Sequence, residues 1–171
     1  MERQFDQQLE KLKTRVIKMC SLVDEQVEFA VKSVEEENAD LAKLVIERDK
    51  KVDKYDVKID KICQKLFALN QPVAMDLRLI MSALTINTNL ERIGDIAVNI
   101  AENFLYMKNK PTFINRTHFS QMAKIAKEMI RNSIDSFIDN NAALAKKVIE
   151  TDNILDNYNI DNHKILIEVM K

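Results

Sequence analysis

The sequence predicts an all-α protein built as tandem three-helix bundles, the second of which is incomplete. Three observations support this prediction. One glycine and two prolines in 171 residues leave almost no turn residues for hairpins and sheets. Apolar residues recur at helical spacing over long stretches. One stretch of sequence also returns 103 residues later, with the order of the helices preserved.

The first predicted helix carries a long apolar seam with one break in its rhythm. The nine residues of this seam are spaced 4, 3, 4, 3, 4, 4, 3 and 4: Phe5, Leu9, Leu12, Val16, Met19, Val23, Val27, Ala30 and Val34. Two consecutive four-residue steps indicate a stutter in an otherwise regular seam.

The second helix is predicted to begin after Asn38, because an asparagine side chain can accept a hydrogen bond from a free backbone N–H. Its seam follows a 4,3 alternation with Arg48 as the one polar member: Leu41, Val45, Val52, Tyr55, Ile59, Ile62, Leu66 and Leu69. Asn70 suits a helix end, and Pro72 suits the first turn of the next helix. Cys20 and Cys63 fall within apolar runs, so we expect reduced thiols in a cytosolic core.

The third helix is predicted from about Val73 to Leu105 and should be the most buried of the three, because two adjacent seams run along it. The first seam is Val73, Leu77, Ile80, Leu84, Asn87, Glu91, Gly94, Val98, Ala101 and Leu105. The second seam is Ala83, Ile86, Leu90, Ile93, Ala97, Ile100 and Phe104. The helix also carries a line of polar residues at every fourth position: Asn87, Glu91, Asp95 and Asn99.

A polar break at 108–117 separates two units, 1–107 and 118–171. A fourth helix is predicted from about His118 to Asn140, and a fifth from Asn141 onward. The segment 38–55 resembles 141–158 without a gap, which makes the fourth and fifth helices counterparts of the first and second. The chain stops before a counterpart of the third. We therefore expect apolar surface on the last two helices, covered by a symmetry mate, a swapped helix or a partner protein.

Acidic residues form pairs four positions apart, and such residues share one face of a helix. The pairs are Asp49 with Asp53, Asp56 with Asp60, Glu91 with Asp95, and Asp152 with Asp156. Like charges so placed destabilise a helix by about 0.2–0.5 kcal/mol. One interpretation is a hard cation held by facing carboxylates, with Gly94 allowing another backbone or an ion to approach. The other is a solvated acidic face paired with Lys50, Lys54 and Arg92.

Other classes of site find no support in the sequence. His118 and His163 have no glutamate three residues before them, so the Glu-x-x-His pattern of di-iron bundles is missing, and both are expected to be ordinary surface or packing residues. One glycine allows no phosphate-binding loop. The net charge of −1 indicates no global field toward nucleic acid or an anionic membrane. No apolar run approaches the ~20 residues of a membrane span. We expect a cytoplasmic protein that is not an enzyme.

Two segments, "PVAMDLRLI" at 72–80 and "LERIGDIAVNIAE" at 90–102, resemble the PhoU family of phosphate-signalling regulators. The resemblance implies two tandem three-helix bundles, each with a Glu/Asp-x-x-x-Asp motif, which in some members hold multinuclear iron or other metals. It points to iron, zinc, manganese or magnesium at six residues: Glu91, Asp95, Asp49, Asp53, Asp152 and Asp156. The chain departs from the family in lacking the second Glu-x-x-x-Asp helix, and in carrying Asn89 where many relatives have an acid.

The function that the resemblance implies is regulation. PhoU proteins link the ATPase of the phosphate ABC transporter to a sensor histidine kinase, and repress the phosphate-starvation response when phosphate is plentiful. The chain is thus expected to be a cytoplasmic adaptor that forms a homodimer or higher oligomer, without nucleic-acid binding or membrane insertion. A metal-binding or metal-storing bundle is the alternative, and a helical scaffold whose acids only solvate it is a third.

Overall fold

The computed structural model describes residues 2–70, 72–107 and 109–171, and in these ranges it consists of helices and short connections. The elements in chain order are α1 (Glu2–Glu35), α2 (Ala39–Asn70), α3 (Ala74–Met107), a 3-10 helix (Thr112–Arg116), α4 (Phe119–Ile138) and α5 (Ala142–Val169). Helices α1, α2 and α3 form one bundle, and α4 pairs with α5 while also packing on α1. The predicted all-α fold with a two-helix second bundle is confirmed. The division into units at 1–107 and 118–171 stays a prediction.

Asparagine side chains cap α2 and its repeat counterpart α5. The Asn38 Oδ1 atom accepts hydrogen bonds from the backbone N–H groups of Asp40 and Leu41, both at 3.1 Å. In the second unit, the Asn141 Oδ1 atom accepts from the backbone N–H of Leu144 at 3.0 Å. Each cap satisfies backbone donors that have no partner within the helix. The predicted cap at Asn38 is therefore confirmed.

The turns before these caps are also duplicated. Glu37 and Asn140 both have a φ of 53°, in the left-handed region. The next backbone N–H in each turn donates back across the turn, from Asn38 to the Ser33 carbonyl at 2.9 Å and from Asn141 to the Ser136 carbonyl at 2.8 Å. All of these pairs are 103 residues apart, so the repeat extends from the sequence to the backbone geometry.

Two predicted helix boundaries are corrected. Helix α3 begins at Ala74, so Pro72 and Val73 precede it and Pro72 is not in its first turn. The φ of 45° at Ala74 is incompatible with regular helix before that residue. Helix α4 runs from Phe119 to Ile138, and His118 occupies its N-cap position.

The core of the first bundle is a set of three seams that each follow a 3,4 alternation, as in coiled coils. The α1 seam is Leu9, Leu12, Val16, Met19, Val23, Gln26, Ala30 and Ser33. The α2 seam is Ala42, Val45, Asp49, Val52, Asp56, Ile59, Cys63 and Leu66. The α3 seam is Ile80, Ala83, Asn87, Leu90, Gly94, Ala97, Ala101 and Phe104. Polar residues thus occupy core positions in all three helices.

These seams correct the predicted patterns. The prediction of a stutter in α1 is wrong, because the buried side chain of Gln26 continues the seam without interruption. In α2, Asp49 and Asp56 lie in the seam itself, whereas Asp53 and Asp60 lie one position round from it. Leu69, placed in the α2 seam by its spacing, is 64% exposed.

Helix α1 is the most buried of the first three helices, which contradicts the expectation for α3. Among the described residues, α1 has eleven buried positions and α3 has eight. The reason is the position of α4, which packs on α1 and adds Ile134 to the core. The second seam of α3 stays partly exposed at Ile86, Ile93 and Ile100, because these residues face a groove.

An apolar groove of about 900 Å³ lies between α3, α4 and α5. Its α5 wall consists of Val148, Leu155, Asn162 and Leu166. With the 103-residue offset these correspond to Val45, Val52, Ile59 and Cys63, which are buried in the first bundle. The groove therefore corresponds, in the second unit, to the space that α3 fills in the first bundle. In the described part of the chain, no helix is long and apolar enough to cross a membrane.

Candidate functional site

Two polar layers interrupt the apolar core of the first bundle, and the first contains Gln26, Asp49 and Gly94. The side chain of Gln26 is only 1% exposed. Its Nε2 group donates to the Asp49 carboxylate at 3.2 Å and to the Val45 carbonyl at 3.4 Å. Gly94 faces this pair from α3. A Cβ atom added to Gly94 would lie 3.4 Å from Gln26 Oε1 and 3.6 Å from Asp49 Oδ1.

The second polar layer, two turns along α2, joins Asn87 to Asp56. Asn87 is 1% exposed, and its Nδ2 group donates to the Asp56 carboxylate at 2.6 Å and to the Asp56 carbonyl at 3.2 Å. Within the described residues, Asn87 Oδ1 and Gln26 Oε1 are buried acceptors that receive no hydrogen bond. Each layer thus pairs a buried amide with a carboxylate of α2 and leaves one amide oxygen unsatisfied.

The carboxylates around these layers form one acidic face along α2 and α3, which we call the acidic face: Asp49, Asp53, Asp56, Asp60, Glu91 and Asp95. Burial raises the pKa of Asp49, and the charges of Asp53 and Asp95 raise it further. The pKa of Glu91 is also raised, first by burial and then by the charge of Asp95 and of acids on α2. The two helices therefore present their carboxylates to each other rather than to separate regions of solvent.

The pKa of Asp56 is raised by the same causes, burial first and then the charge of Asp60, while the hydrogen bond from Asn87 opposes the shift. A raised carboxyl pKa means that the folded protein disfavours the ionised form. The acidic face therefore concentrates negative charge at a cost in stability.

The structure fully supports neither the bound cation nor the solvated, ion-paired face that were the two interpretations of the acids. Within the described residues, no ion pair involves the acidic face, so Lys50, Lys54 and Arg92 do not neutralise it as the solvated interpretation expects. The oxygen-only donors suit a hard cation. In the same residues, however, no three His, Cys, Asp or Glu side chains are placed to hold one ion. The acids line a face and do not surround a point.

The six predicted metal ligands are not brought together. Asp49, Asp53, Glu91 and Asp95 belong to the acidic face, whereas Asp152 and Asp156 are exposed on α5 in the second bundle. The repeat offset places Met129 at the position of Gln26, so the second unit has no counterpart of the buried amide. The assignment of metal to all six residues stays a prediction.

The polar line of α3 has a simple geometric cause. Four residues advance by slightly more than one turn, so each step along Asn87, Glu91, Asp95 and Asn99 turns about 40° around the helix. The line therefore starts in the core at Asn87, passes the partly buried Glu91 and reaches solvent at Asp95. The nearest atoms to Gly94 belong to side chains, so the expected close approach of another backbone is not found.

Gln26 is the residue that the sequence analysis missed. Its signal was present, since the apparent stutter between Val23 and Val27 falls where a polar residue replaces an apolar one. An uninterrupted 3,4 rhythm would have placed Gln26 in the core and opposite α2. Its partner Asp49 could not be identified from one helix alone, because the pairing depends on how α1 and α2 align.

The histidines and cysteines lie outside the acidic face. The His118 ring stacks on Tyr158 with centroids 4.4 Å apart, and the His163 Nδ1 atom lies 2.8 Å from the Asn159 carbonyl. Both contacts agree with ordinary packing residues. Cys20 and Cys63 are buried free thiols. Burial raises the pKa of Cys20 to about 11 and that of Cys63 to about 12, which makes both thiols unreactive.

Comparison with known proteins agrees with this architecture. The family model described as PhoU domain matches residues 16–104 and 119–171. The chain is 41% identical over 149 residues to the phosphate-specific transport system accessory protein PhoU homolog of Aquifex aeolicus, covering 87% of this chain and 67% of the relative. It is 31% identical to the PhoU accessory protein of Escherichia coli, covering 90% of this chain and 64% of that protein. The chain thus spans about two thirds of these relatives.

Solved structures show the same arrangement of helices. The crystal structure of PhoU from Pseudomonas aeruginosa superposes with a TM-score of 0.90 at 28% identity, covering 97% of this chain and 80% of that one. The PhoU regulatory protein of Streptococcus pneumoniae gives a TM-score of 0.88 at 27% identity. Sequence and fold agree over both bundles, and we conclude that the chain belongs to the PhoU family.

Proposed function

We propose that this protein is a non-enzymatic regulator of phosphate uptake and phosphate-starvation signalling. In this role it acts as a cytoplasmic adaptor between the ATPase of a phosphate ABC transporter and a sensor histidine kinase. The observation that carries the proposal is the family match across both bundles, whose relatives are named as accessory proteins of the phosphate-specific transport system. The family is one of regulatory accessory proteins rather than enzymes.

The geometry supports an adaptor because it offers two separate surfaces on one molecule. The acidic face runs along α2 and α3, and the apolar groove lies between α3, α4 and α5. Helix α3 contributes to both, since its residues alternate between the two sides. Partners bound at the two surfaces would therefore both contact α3.

The test is co-purification at high and low phosphate with the transporter ATPase and with the kinase. Asp49→Asn with Asp53→Asn removes charge from the acidic face. Asp152→Asn with Asp156→Asn removes the same charge from α5, where no counterpart of α3 stands opposite, and is the matched control. We expect phosphate-dependent association that the first variant weakens and the second retains. Absence of association at every phosphate level would reject the proposal.

A metal-binding bundle is the second candidate, and a specific observation favours it. The acidic face holds carboxylates with raised pKa values, and buried amide oxygens beside it receive no hydrogen bond. Such oxygens are the ligands preferred by magnesium and manganese, and iron also accepts them. Asp49, Asp53, Glu91 and Asp95 would supply the carboxylate ligands once a bound ion draws their side chains together, and the charge of the ion would relieve the repulsion between the two helices.

Elemental analysis after gel filtration tests this candidate. The samples are the wild type, Glu91→Gln with Asp95→Asn, and the α5 control Asp152→Asn with Asp156→Asn. Stoichiometric metal in the wild type and the control, but not in the α3 variant, would place the site on the acidic face. A wild type that stays metal-free after incubation with iron, manganese, zinc and magnesium would exclude it.

We also propose that the protein forms a homodimer in which a second copy covers the apolar groove. The residues of α4 and α5 that line the groove are equivalent by the repeat to residues that α3 covers in the first bundle. Covering them with another apolar surface is therefore also favourable. Sedimentation equilibrium should give a dimer that Ile93→Glu dissociates, because Ile93 lines the groove from α3. A monomer that stays folded and unaggregated at high concentration would contradict this proposal.

A further inference from the structure

A second groove, between α1 and α2, is lined by cations. Five lysines of α2 are spaced 3, 4, 3 and 4 and so share one face of the helix: Lys51, Lys54, Lys58, Lys61 and Lys65. Three cations of α1 are spaced 4 and 3: Lys11, Arg15 and Lys18. Lys18, Lys51, Lys54 and Lys58 line one open groove of about 490 Å³. The spacing of the remaining four cations continues the two rows along the same helix faces. We call these eight residues the lysine groove.

The charge of the lysine groove is not neutralised by the protein. In the described ranges, none of the eight cations forms an ion pair within 4.0 Å. The single acid that lines the groove is Glu25, and it pairs with Arg48. Glu25 and the neighbouring Glu47 lie toward the α1–α2 turn, and the other residues that line the groove are lysines or uncharged side chains.

Helix α2 therefore separates its charges around its circumference. The lysines of the groove lie on the side of α1, and the acids of the acidic face lie on the side of α3. The net charge of −1 hides this separation, because the six acids of the acidic face offset most of the eight cations of the lysine groove in the sum. Within a Debye length of about 8 Å, however, a ligand at the lysine groove experiences the local positive charge rather than the net charge.

The composition of the lysine groove selects among anionic ligands. Seven of its eight cations are lysines, which are flexible point charges and lack the fork with which arginine binds single phosphates or bases. The one aromatic ring, Tyr55, is already covered by Arg15 at 5.7 Å and by Lys58 at 5.3 Å, so no free ring is available for base stacking. These features favour a continuous anionic surface over a nucleic acid.

Two exposed apolar residues flank the cations on the same pair of helices. Ile17 on α1 is 43% exposed and Val57 on α2 is 48% exposed. Lysines 51 to 65 extend over about 21 Å of helix, at 1.5 Å per residue. A straight row of cations beside isolated apolar side chains resembles the polar and apolar faces with which helices lie on anionic lipid.

We propose that the lysine groove docks the protein on an anionic bilayer surface, with α1 and α2 lying along the membrane and no helix inserted. This inference rests on the proposed function, since the phosphate transport system named for the relatives spans a membrane. The lysines would place the protein beside the transporter, while the acidic face and the apolar groove, which involve α3, stay accessible to protein partners.

Vesicle co-sedimentation of the full chain tests the proposal. The vesicles contain equal parts of phosphatidylglycerol and phosphatidylcholine, and phosphatidylcholine vesicles serve as the neutral reference. Each cation near an anionic surface increases partitioning roughly fivefold. Replacing Lys51, Lys54 and Lys58 with glutamate should therefore reduce binding by at least about 100-fold.

A matched control changes three exposed lysines outside the groove, Lys124, Lys146 and Lys147, to glutamate and gives the same net charge. It should bind nearly as the wild type does. Binding of the wild type should also fall as salt rises from about 0.1 M to about 0.5 M, a readout that needs no substitution.

Equal loss in both triple variants would overturn the proposal, because net charge rather than the groove would explain it. So would wild-type binding to polyphosphate or polyglutamate in solution without binding to the anionic vesicles. The vesicles contain no transporter, and co-purification in detergent contains no bilayer. Failure of the docking proposal and failure of the proposed function are therefore separate results.

Discussion

At the residue scale, Gly94 is the clearest conflict between helix formation and packing. Glycine destabilises a helix interior by about 1 kcal/mol relative to alanine. The structure does not require this loss, because a Cβ atom at Gly94 would meet Gln26 Oε1 and Val52 Cγ1 at 3.4 Å, close to ordinary contact. A glycine that packing does not demand, in a layer with two polar side chains, agrees with a requirement for space in a bound state.

The first prediction follows from these distances. Gly94→Ala should raise the free energy of unfolding by about 0.5–1 kcal/mol, measured by urea denaturation. Gly94→Val should instead lower it by about 1–3 kcal/mol, because a branched side chain would overpack Val52. If alanine were destabilising by more than about 1 kcal/mol, packing alone would explain the glycine and no requirement for space would be needed.

The second prediction concerns Glu91, whose pKa is raised by burial and by Asp95. A raised pKa means that Glu91 contributes stability when protonated, and that this contribution is lost as pH rises through the folded-state pKa. In chelator-treated protein at pH 7, Glu91→Gln should therefore increase the free energy of unfolding by about 0.5 kcal/mol. The gain should vanish near pH 3.5, where the wild-type side chain is also neutral.

Urea denaturation at the two pH values measures this difference. Glu102→Gln is the control, since this exposed glutamate of α3 has no acid three or four residues away, and it should change stability little at either pH. A Glu91→Gln variant that is less stable than the wild type at pH 7 would mean that the charge of Glu91 has a partner that the acidic face does not provide.

At the element scale, equivalent faces of α2 and α5 differ in burial: α3 covers the face of α2, and the face of α5 lines the open groove. Val45 on α2 is fully buried beneath α3, whereas its counterpart Val148 on α5 lines the open groove. The two residues have the same type, the same helix position and the same distance from an asparagine cap. They differ in the presence of a third helix, which makes them a matched pair for measuring what that helix contributes.

The third prediction uses this pair. Val45→Ala should lower the free energy of unfolding by about 2 kcal/mol, from the lost methyl groups and the cavity that remains. Val148→Ala should lower it by less than about 1 kcal/mol at low protein concentration. If a second copy covers the groove, the effect of Val148→Ala should increase with concentration; equal effects of both variants in dilute monomer would contradict an open groove.

At the scale of the whole molecule, charged residues join the two bundles where α4 packs on α1. Lys127 on α4 donates to Glu28 at 2.6 Å and lies 3.8 Å from Asp24, and Arg131 also pairs with Asp24. The hydrogen bonds from Lys127 and Lys32 lower the pKa of Glu28 from an ordinary 4.5 to about 2. This cluster, together with Ile134 in the core, is what positions α4 and hence one wall of the apolar groove.

The fourth prediction concerns acid stability. A lowered pKa means that Glu28 contributes stability above about pH 4.5, and that this contribution is lost as pH falls through about 2. Lys127→Met should therefore lower the free energy of unfolding at pH 7 and reduce its fall on acidification, both followed by urea denaturation. Lys43→Met, which breaks an exposed pair with Asp40, is the control and should have little effect. Parallel pH profiles for the wild type and Lys127→Met would contradict the assignment.

The helices, the cap at Asn38, the repeat and the family could all be predicted from the amino-acid sequence, because these depend on local spacing and on residue identity along one chain. The sequence also identified the acid pairs, since residues four apart share a helix face whatever the tertiary structure. Gln26 shows the limit of prediction from local spacing, because its position was interpreted as a stutter in the apolar seam. A polar residue in an apolar rhythm can be an interruption or a buried partner, and one helix does not distinguish them.

The alignment of the helices across the bundle could be read only from the three-dimensional structure. That alignment places Gln26 against Asp49 and Asn87 against Asp56, and it gathers the acids of α2 and α3 into one face while leaving Asp152 and Asp156 apart. It also makes α1 rather than α3 the most buried helix, because α4 packs on α1. The physical reason is that pairing between helices depends on packing at long range in the chain, which no local pattern specifies.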